Sequence, residues 1–280
     1  MIQDYTYHSH TNFSDGKNTL EEMVAQAKKI GFSHIGISDH LIIHKNIKQS
    51  PSWQMMEGRS DSHIYKNDFK KALPEFQKHC DEIRKFSKTE NFKVLIGFEV
   101  DFFNYDGWLE ELKEFLSKLD YDYLISGNHF LFDEKCEKIY NIHKSVYNFC
   151  DDIEIKNLVS SHFKTISQAA ESRLFKFIAH LDYVRKMSSD YLQSQNFIQE
   201  KTEVIKALKN NNIGAELSTK GLRKIGDFYP DSWFLQKIKE ENIPVVISDD
   251  SHRTSELGLD FDKAESKLSE LNIKNRIKMG

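Results

Sequence analysis

Histidines and carboxylates occur in this sequence at spacings that are typical of metal ligands. An early apolar run ends in His8-Ser9-His10, and a late run ends in Asp250-Ser251-His252. On a β-strand, residues i and i+2 share a face, so each pair could present both side chains to one metal ion. Taken alone, such a pair is as compatible with two surface histidines as with a metal site.

Several other strand-like runs also end in residues that bind metals, and six of the 12 histidines lie at such ends. Random placement along the chain would not favour these positions so strongly. Nitrogen and carboxylate ligands without thiolates suit zinc, manganese or iron. At three to four ligands for each ion, the candidates are too many for one ion and suffice for two or three. The candidates are His8, His10, Asp15, His40, Glu99, His129, His180, Asp250 and His252.

The charge of such a cluster indicates the kind of substrate. Three divalent ions, the carboxylates of Asp15, Glu99 and Asp250, and one hydroxide would together leave a charge of about +2 in the pocket. That charge matches a dianionic phosphate monoester. Adjacent ions can also hold the attacking and leaving oxygens of an in-line displacement and lower the pKa of bound water.

The candidate ligands lie at the ends of repeated β-then-α units. Runs of β-branched, aromatic and aliphatic residues alternate with stretches of helical period. Seven such units predict a parallel sheet with crossover helices, either open and doubly wound or closed into a barrel. The barrel is favoured because barrels build their sites from the carboxyl ends of many strands, whereas an open sheet concentrates its site at one switch point. The predicted strands are Tyr5–His10, His34–His40, Lys93–Asp101, Asp122–His129, Phe177–Asp182, Ile213–Thr219 and Pro244–His252.

Composition excludes several classes of protein. The 39 basic and 43 acidic residues give a net charge of −4, which disfavours broad nucleic-acid binding. Cys80, Cys136 and Cys150 show no paired spacing, so neither a disulfide framework nor a thiolate zinc site is expected. No apolar run is long enough to span a membrane, and no signal peptide is evident. We expect a single cytoplasmic domain over residues 1–280, with a long loop or lid at 41–62, where no period is visible.

The ordered motifs resemble the PHP (polymerase and histidinol phosphatase) family over nearly the whole chain. They are HSHTNFSDG (8–16), SDH (38–40), GFEVD (97–101), GNHF (127–130), AHLD (179–182) and SDDSH (248–252). The resemblance implies a distorted (β/α)7 barrel with a three-metal site.

The resemblance also implies how the ligands divide among three divalent transition-metal ions. One ion would be held by His8, His10, Glu99 and Asp250, a second by Glu99, His129 and His180, and a third by Asp15, His40 and His252. Two further acids, Asp39 and Asp249, each precede a candidate ligand. We expect them to orient the ligand histidines by hydrogen bonds.

Within the family, two further stretches resemble the stand-alone histidinol-phosphate phosphatases. They are HLDYVR (180–185) and ELSTKGLRK (216–224), the latter followed by Tyr229-Pro230. In that resemblance Arg185 and Arg223 bind phosphate, which suits the forked geometry of guanidinium. Ser218 and Lys220 depart from the pattern, in which an Asn and a small residue are usual, and Ser38 replaces the commoner Thr. The departures lie near the place where the alcohol part of the substrate would be recognised.

The resemblance therefore implies hydrolysis of L-histidinol phosphate to L-histidinol and phosphate, a step of histidine biosynthesis. Arg185 and Arg223 would stabilise charge on the phosphoryl group. A bound water, Asp182, Asp15 or His252 would protonate the leaving oxygen. One alternative is a phosphoesterase acting on another phosphomonoester or on a nucleotide. Another is a non-catalytic metal-binding PHP module, which is disfavoured because all nine ligands are present.

Overall fold

The computed structural model describes residues 2–50, 53, 57–133, 138–187 and 197–279. Within these residues, a continuous parallel sheet has the strand order β1-β2-β4-β5-β8-β9-β10, and short β3 pairs with β2. A separate antiparallel pair is formed by β6 and β7. The strands are β1 (Tyr5–Thr6), β2 (His34–Ile43), β3 (Tyr65–Lys66), β4 (Lys93–Val100), β5 (Tyr123–Ser126), β6 (Phe130–Asp133), β7 (Lys138–Asn141), β8 (Phe177–Ile178), β9 (Gly214–Ser218) and β10 (Val245–Ser248).

Helices connect the strands of the parallel sheet. The helix α1 begins with a capping box, in which Thr19 and Glu22 each accept a hydrogen bond from the other's backbone N–H. Its apolar residues Met23, Val24 and Ala27 are buried, as expected for an amphipathic helix on a sheet. The helices are α1 (Leu20–Lys29), α2 (Phe69–Glu90), α3 (Trp108–Leu116), α4 (Asp152–Glu171), α5 (Ile198–Asn211), α6 (Lys220–Ile225), α7 (Ser232–Glu240) and α8 (Phe261–Glu270).

The two edge strands of the sheet meet, which nearly closes it into a barrel. Ser9, just after β1, forms a parallel bridge with Ser251, just after β10. The backbone N–H of His10 donates to the carbonyl of Ser251 at 2.9 Å, and Gln3 donates to the carbonyl of Ile247 at 2.7 Å. The predicted (β/α)7 barrel is confirmed. Most strands are shorter than predicted because the polar residues at their ends leave the ladder.

The amino end of the barrel is filled by aromatic and aliphatic side chains. Tyr123 lies across the interior and donates to the carbonyl of Tyr7 at 2.8 Å. A Cβ at Gly36 or Gly97 would collide with the Tyr123 ring, so these two positions require glycine. This packing leaves the opposite, carboxyl end for polar side chains. The interior cluster consists of Tyr5, Tyr7, Tyr123, Ile125, Phe177 and Val246.

The predicted loop at 41–62 begins too early. Leu41, Ile42 and Ile43 continue β2 and are at most 2% exposed. The error arose because Asp39-His40 resembles the polar end of a strand, although both residues lie inside β2. Residues 51–52 and 54–56 lie outside the described residues, so closure of this segment over a substrate stays a prediction.

Two further expectations concern cysteines and membrane spans. Cys80 and Cys150 do not form a disulfide bond with each other, and Cys136 lies outside the described residues. None of the described helices has the length and apolar character needed to cross a bilayer.

Candidate metal centre

The nine predicted ligands lie together at the carboxyl end of the barrel. Within each of four groups, the ligand atoms are all within 4.8 Å of one another. The groups are His10–Asp15–His40–His252, His8–His180–Asp250, His8–His10–Glu99 and His40–Glu99–His129. Residues up to 244 positions apart in the sequence are thus brought to one place by the strand ends.

One part of the cluster has the dimensions of a tetrahedral metal site. The Nε2 atoms of His8 and His10 lie 3.2 and 3.4 Å from Glu99 Oε2. The same two nitrogens lie 3.5 and 3.2 Å from Asp250 Oδ1. Ligands at about 2.0–2.2 Å from a tetrahedral ion are about 3.3–3.6 Å from one another. These four side chains therefore fit around one ion.

The remaining ligands are arranged on either side of this group. Glu99 Oε1 lies 3.0 Å from His180 Nε2 and 3.5 Å from His129 Nε2, so the two oxygens of Glu99 face different groups. Asp15 Oδ1 lies 3.1 Å from His252 Nε2 and 3.4 Å from His40 Nε2. This arrangement is compatible with the division of ligands that the resemblance implies.

Many of the ligand atoms are buried without a hydrogen-bond partner. These atoms include His8 Nε2, both ring nitrogens of His10, Asp15 Oδ1, Glu99 Oε2 and Asp250 Oδ1. Buried polar atoms in folded proteins are nearly always satisfied. Unsatisfied nitrogen and oxygen atoms that face one another are what divalent ions would coordinate, so the residues present fit a metal cluster.

The carboxylates of the cluster are held in their ionised form. Burial opposes ionisation of Glu99, but His8, His129 and His40 outweigh it and keep its pKa well below the ordinary value. Burial likewise opposes ionisation of Asp250, but Lys220 and His8 keep its pKa well below the ordinary value. Against the effect of burial, neighbouring carboxylates raise the pKa of His8 and His40 well above the ordinary value. Metal ligands must be deprotonated, so metal binding would displace protons from these rings.

The backbone at the site adopts unusual conformations. His180 and Asp250 have φ values of 25° and 46°, in the left-handed region that residues other than glycine seldom occupy. Such conformations are frequent at functional sites. Gly127 leaves room for Glu99, because a Cβ there would collide with the Glu99 carboxylate.

Glu216 is a functional residue whose role sequence reasoning missed. Its Oε1 accepts a hydrogen bond from His8 Nδ1 at 2.6 Å and another from the Ser248 hydroxyl. Its Oε2 accepts from the backbone N–H of His180 at 2.9 Å. A carboxylate on Nδ1 fixes the tautomer that leaves Nε2 free as a ligand. The available signal was a glutamate inside the otherwise apolar strand β9.

Asp101 has the same relation to His129. Its Oδ2 lies 3.0 Å from His129 Nδ1, and its Oδ1 accepts from the backbone N–H of His129. The available signal was its position two residues after Glu99. At the end of β4, that spacing places Asp101 on the same side of the chain as Glu99. Asp101 thus orients His129 as Glu216 orients His8.

The prediction that Asp39 orients a ligand histidine is wrong. Its carboxylate accepts from the backbone N–H and the hydroxyl of Thr11, both at 2.7 Å, and from the Ser14 hydroxyl at 2.5 Å. It also lies 3.0 Å from Nε2 of His79, which is not a candidate ligand. Asp39 therefore holds the turn that carries Asp15, because its partners belong to that turn.

The same correction applies to Asp249. Its Oδ1 accepts from the backbone N–H of Ser251 at 3.2 Å, and its Oδ2 accepts from the backbone N–H of Gly258 at 2.5 Å. No hydrogen bond joins its carboxylate to a histidine of the described residues. Asp249 therefore stabilises the turn that presents Asp250 and His252.

A pocket opens beside the cluster. Asp15, His40, His129 and His252 form the wall of the pocket that belongs to the cluster. The other walls combine apolar, polar and basic side chains. These are Ile42, Arg59, Asp61, Ile64, Tyr65, Phe130, Asn141, His143, Tyr183, Lys186 and Lys220.

The two predicted phosphate-binding arginines are not among the residues that line this pocket. Arg185 donates to Asp227 at 2.7 Å and to the carbonyl of Phe228 at 2.8 Å. Arg223 donates through Nη2 to the carbonyl of Asp249 at 2.7 Å, while its Nη1 is buried without a partner. Their role in binding phosphate stays a prediction.

Asp182, a predicted proton donor, is buried behind the pocket wall. Its Oδ2 accepts from the backbone N–H of Asp231 at 2.8 Å, and it is not a lining residue of the pocket. Burial raises the pKa of its carboxyl from 3.8 to about 7, against the opposing charge of Arg185.

This raised pKa predicts a pH-dependent stability. Between pH 4 and pH 7, unfolding lets Asp182 release a proton that the folded chain retains, so the wild type loses stability as the pH rises. Asp182→Asn removes this loss. As the pH rises from 4 to 7, the free energy of unfolding of the variant minus that of the wild type is expected to increase by up to about 4 kcal/mol. Denaturant unfolding at several pH values measures it, with the exposed Asp81→Asn as control. If the difference in the free energy of unfolding between Asp182→Asn and wild type does not vary with pH, the raised pKa of Asp182 is contradicted.

Comparisons with known proteins agree with this fold. The histidinol-phosphatase of Bacillus subtilis is 24% identical over 273 residues, which cover 91% of this chain and 96% of that protein. A solved structure from Listeria monocytogenes that bears the histidinol phosphatase name has a TM-score of 0.72 at 19% identity, covering 92% of this chain and 99% of that one. The histidinol phosphate phosphatase of Lactococcus lactis, solved with zinc, L-histidinol and phosphate, has a TM-score of 0.66 at 17% identity, covering 99% of this chain and 96% of that one.

The two structural likenesses establish the fold. A family model of the PHP domain matches residues 6–220, which include seven of the nine candidate ligands, from His8 to His180, and the orienting Glu216. This chain belongs to the PHP domain family.

Proposed function

We propose that this chain is a metal-dependent phosphomonoesterase and that its substrate is L-histidinol phosphate. The observation that carries the proposal is the convergence of nine nitrogen and carboxylate ligands beside one pocket at the carboxyl end of the barrel. The substrate is supported by the Bacillus subtilis relative, named a histidinol-phosphatase, and by the Lactococcus lactis structure, which contains L-histidinol and phosphate. With that substrate, we also propose a role in histidine biosynthesis in the cytoplasm.

We propose three divalent ions, of zinc, manganese or iron, at the nine ligands. When bound, such ions supply positive charge for the phosphoryl oxygens and an activated water. We propose the ligand sets that the resemblance implies, from residues whose ligand atoms lie close together in the structure. The sets are His8, His10, Glu99 and Asp250; Glu99, His129 and His180; and Asp15, His40 and His252.

The chain itself orients these ligands and shapes the pocket. Glu216 and Asp101 hold the Nδ1 atoms of His8 and His129, so that Nε2 of each ring faces the cluster. The Tyr183 ring packs against His129 and His180, with centroids 5.0 and 4.6 Å apart. Tyr183 also lines the pocket, so its ring forms the wall beside these two ligands.

Hydrolysis requires a proton at the leaving oxygen. Asp15 and His252 line the pocket, and His252 Nε2 lies 3.1 Å from Asp15 Oδ2. Burial opposes ionisation of Asp15, but His40 and His252 keep its pKa well below the ordinary value. Because Asp15 and His252 are also proposed metal ligands and Asp182 does not line the pocket, we favour a water in the pocket as the source of this proton.

A panel of phosphomonoesters tests the proposal. The metal-loaded protein is assayed for phosphate release from L-histidinol phosphate, phosphoserine, glycerol phosphate, glucose 6-phosphate and a nucleoside monophosphate. The highest kcat/KM is expected for L-histidinol phosphate. Equal kcat/KM across the panel would refute the substrate, and no hydrolysis of any member would refute the phosphatase activity.

A further inference from the structure

Two lysines line the pocket next to the candidate metal centre. Lys220 begins α6, and its Nζ lies 2.8 Å from Asp250 Oδ2. Lys186 ends the 3₁₀ helix Tyr183–Lys186, and its Nζ donates to the Tyr183 hydroxyl at 2.9 Å. Neither lysine was among the predicted site residues.

The carboxylate of Asp250 lies between Lys220 and the ligands His8 and His10. Asp250 turns its Oδ1 toward His8 and His10 and its Oδ2 toward Lys220. An ammonium has three donors, so the contact with Asp250 leaves two for a molecule in the pocket. The side chain is only 13% exposed, so its charge is largely shielded from bulk water.

Lys186 is a cation without a matching anion. No carboxylate of the described residues forms an ion pair with it, and its one hydrogen bond is to the neutral Tyr183 hydroxyl. Burial lowers the pKa of Lys186 to about 8, and the charges of Lys220 and Lys224 add to this effect. A bound anion would offset both the free-energy cost of burying the Lys186 charge and the repulsion between the lysines.

The arginines that the resemblance assigns to phosphate are occupied elsewhere. Arg185 pairs with Asp227, and Arg223 donates to the carbonyl of Asp249. The two lysines, by contrast, share the pocket with Asp15, His40, His129 and His252. Arg59 also lines the pocket but pairs with Asp61 at 2.7 Å, so the two lysines are the lining cations that we consider for the anion.

We propose that Lys186 and Lys220 bind the phosphoryl oxygens of the substrate, the role that the resemblance assigns to Arg185 and Arg223. The inference rests on the proposed phosphatase function. A lysine ammonium binds phosphate as a point charge, without the two-pronged geometry of arginine. By the resemblance, a small residue is usual at the position of Lys220, and here that position supplies a cation.

Binding of inorganic phosphate tests the proposal directly. Isothermal titration of the metal-loaded protein is expected to show phosphate affinity that falls about 10-fold or more in Lys186→Met and in Lys220→Met, since each loses a charge-assisted hydrogen bond. Lys224→Met, exposed on α6 and absent from the pocket walls, is the matched control and should bind phosphate as the wild type does. Arg185→Met and Arg223→Met should change phosphate affinity less than the lysine variants.

A second measurement separates phosphate binding from metal binding. The metal content of each variant is determined by mass spectrometry, because Lys220 contacts the candidate ligand Asp250. Lys186 contacts no candidate ligand, so Lys186→Met should retain the wild-type metal content while its phosphate affinity falls. If Lys220→Met does not fold, Lys186→Met and the charge-retaining Lys220→Arg are used to decide whether the lysines bind phosphate.

The outcomes distinguish this inference from the proposed function. Wild-type phosphate affinity in both lysine variants, or no phosphate binding by the metal-loaded wild type, would overturn the inference. If the wild type hydrolyses phosphomonoesters while the lysine variants bind phosphate normally, the inference alone fails. If the lysines bind phosphate but no member of the panel is hydrolysed, the proposed function fails and the anion site stands.

Discussion

Glu99→Gln is expected to reduce phosphatase activity by more than about 100-fold, because even a residue that only orients a metal ligand contributes about 10- to 100-fold. Glu99 is fully buried, and its two oxygens face different ligand groups. Its Oε2 also lies 3.1 Å from His40 Nδ1. An amide is uncharged and has only one oxygen, so it cannot serve two groups in this way.

The test combines activity with metal content. Steady-state phosphate release and the number of ions per chain are measured for Glu99→Gln and for wild type purified side by side. Glu110→Gln is the matched control, since Glu110 is exposed on α3 and remote from the cluster. Wild-type activity and metal content in Glu99→Gln would refute the role of Glu99 as a ligand shared by two groups.

Glu216→Gln is expected to lower metal affinity by about 10- to 100-fold. The Glu216 carboxylate accepts from three donors, which are His8 Nδ1, the Ser248 hydroxyl and the backbone N–H of His180. A glutamine has one oxygen and one NH₂ group, so its NH₂ must face a donor in either orientation. His8 or His180 then loses the contact that positions it.

Rescue by metal identifies this role. Competition titration with a zinc chelator gives the affinity, and activity is followed as metal is added. An effect through positioning is expected to be largely restored at high metal concentration. Glu241→Gln, an exposed glutamate after α7, serves as control. Reduced activity at all metal concentrations with unchanged metal affinity would contradict a positioning role for Glu216.

The ligand set could be predicted from sequence because strand ends and ligand types coincide along the chain. His8 and His10 follow a β-type run at a spacing that places both on one face. The alternation of such runs with helical periods then predicts which end of the barrel they share. The nine ligands follow from these local patterns and from the ordered motifs of the family.

The residues that support the ligands depend on contacts that no local pattern encodes. Glu216 lies 208 positions from His8, and nothing near either residue indicates that they meet. Arg185 donates to Asp227, 42 positions later in the chain. Side-chain contacts of this kind follow from packing, so the sequence indicated basic residues near the site but not the partners of each one.

A crystal structure of the metal-loaded protein with inorganic phosphate, with ions located by anomalous scattering, tests the central claim most directly. We expect ions within about 2.0–2.2 Å of the nitrogen and oxygen atoms of the nine ligands. Phosphate should lie against those ions, on the side of the pocket that Lys186 and Lys220 line. Ions bound elsewhere, or none at His8, His10, Glu99 and Asp250, would contradict the account.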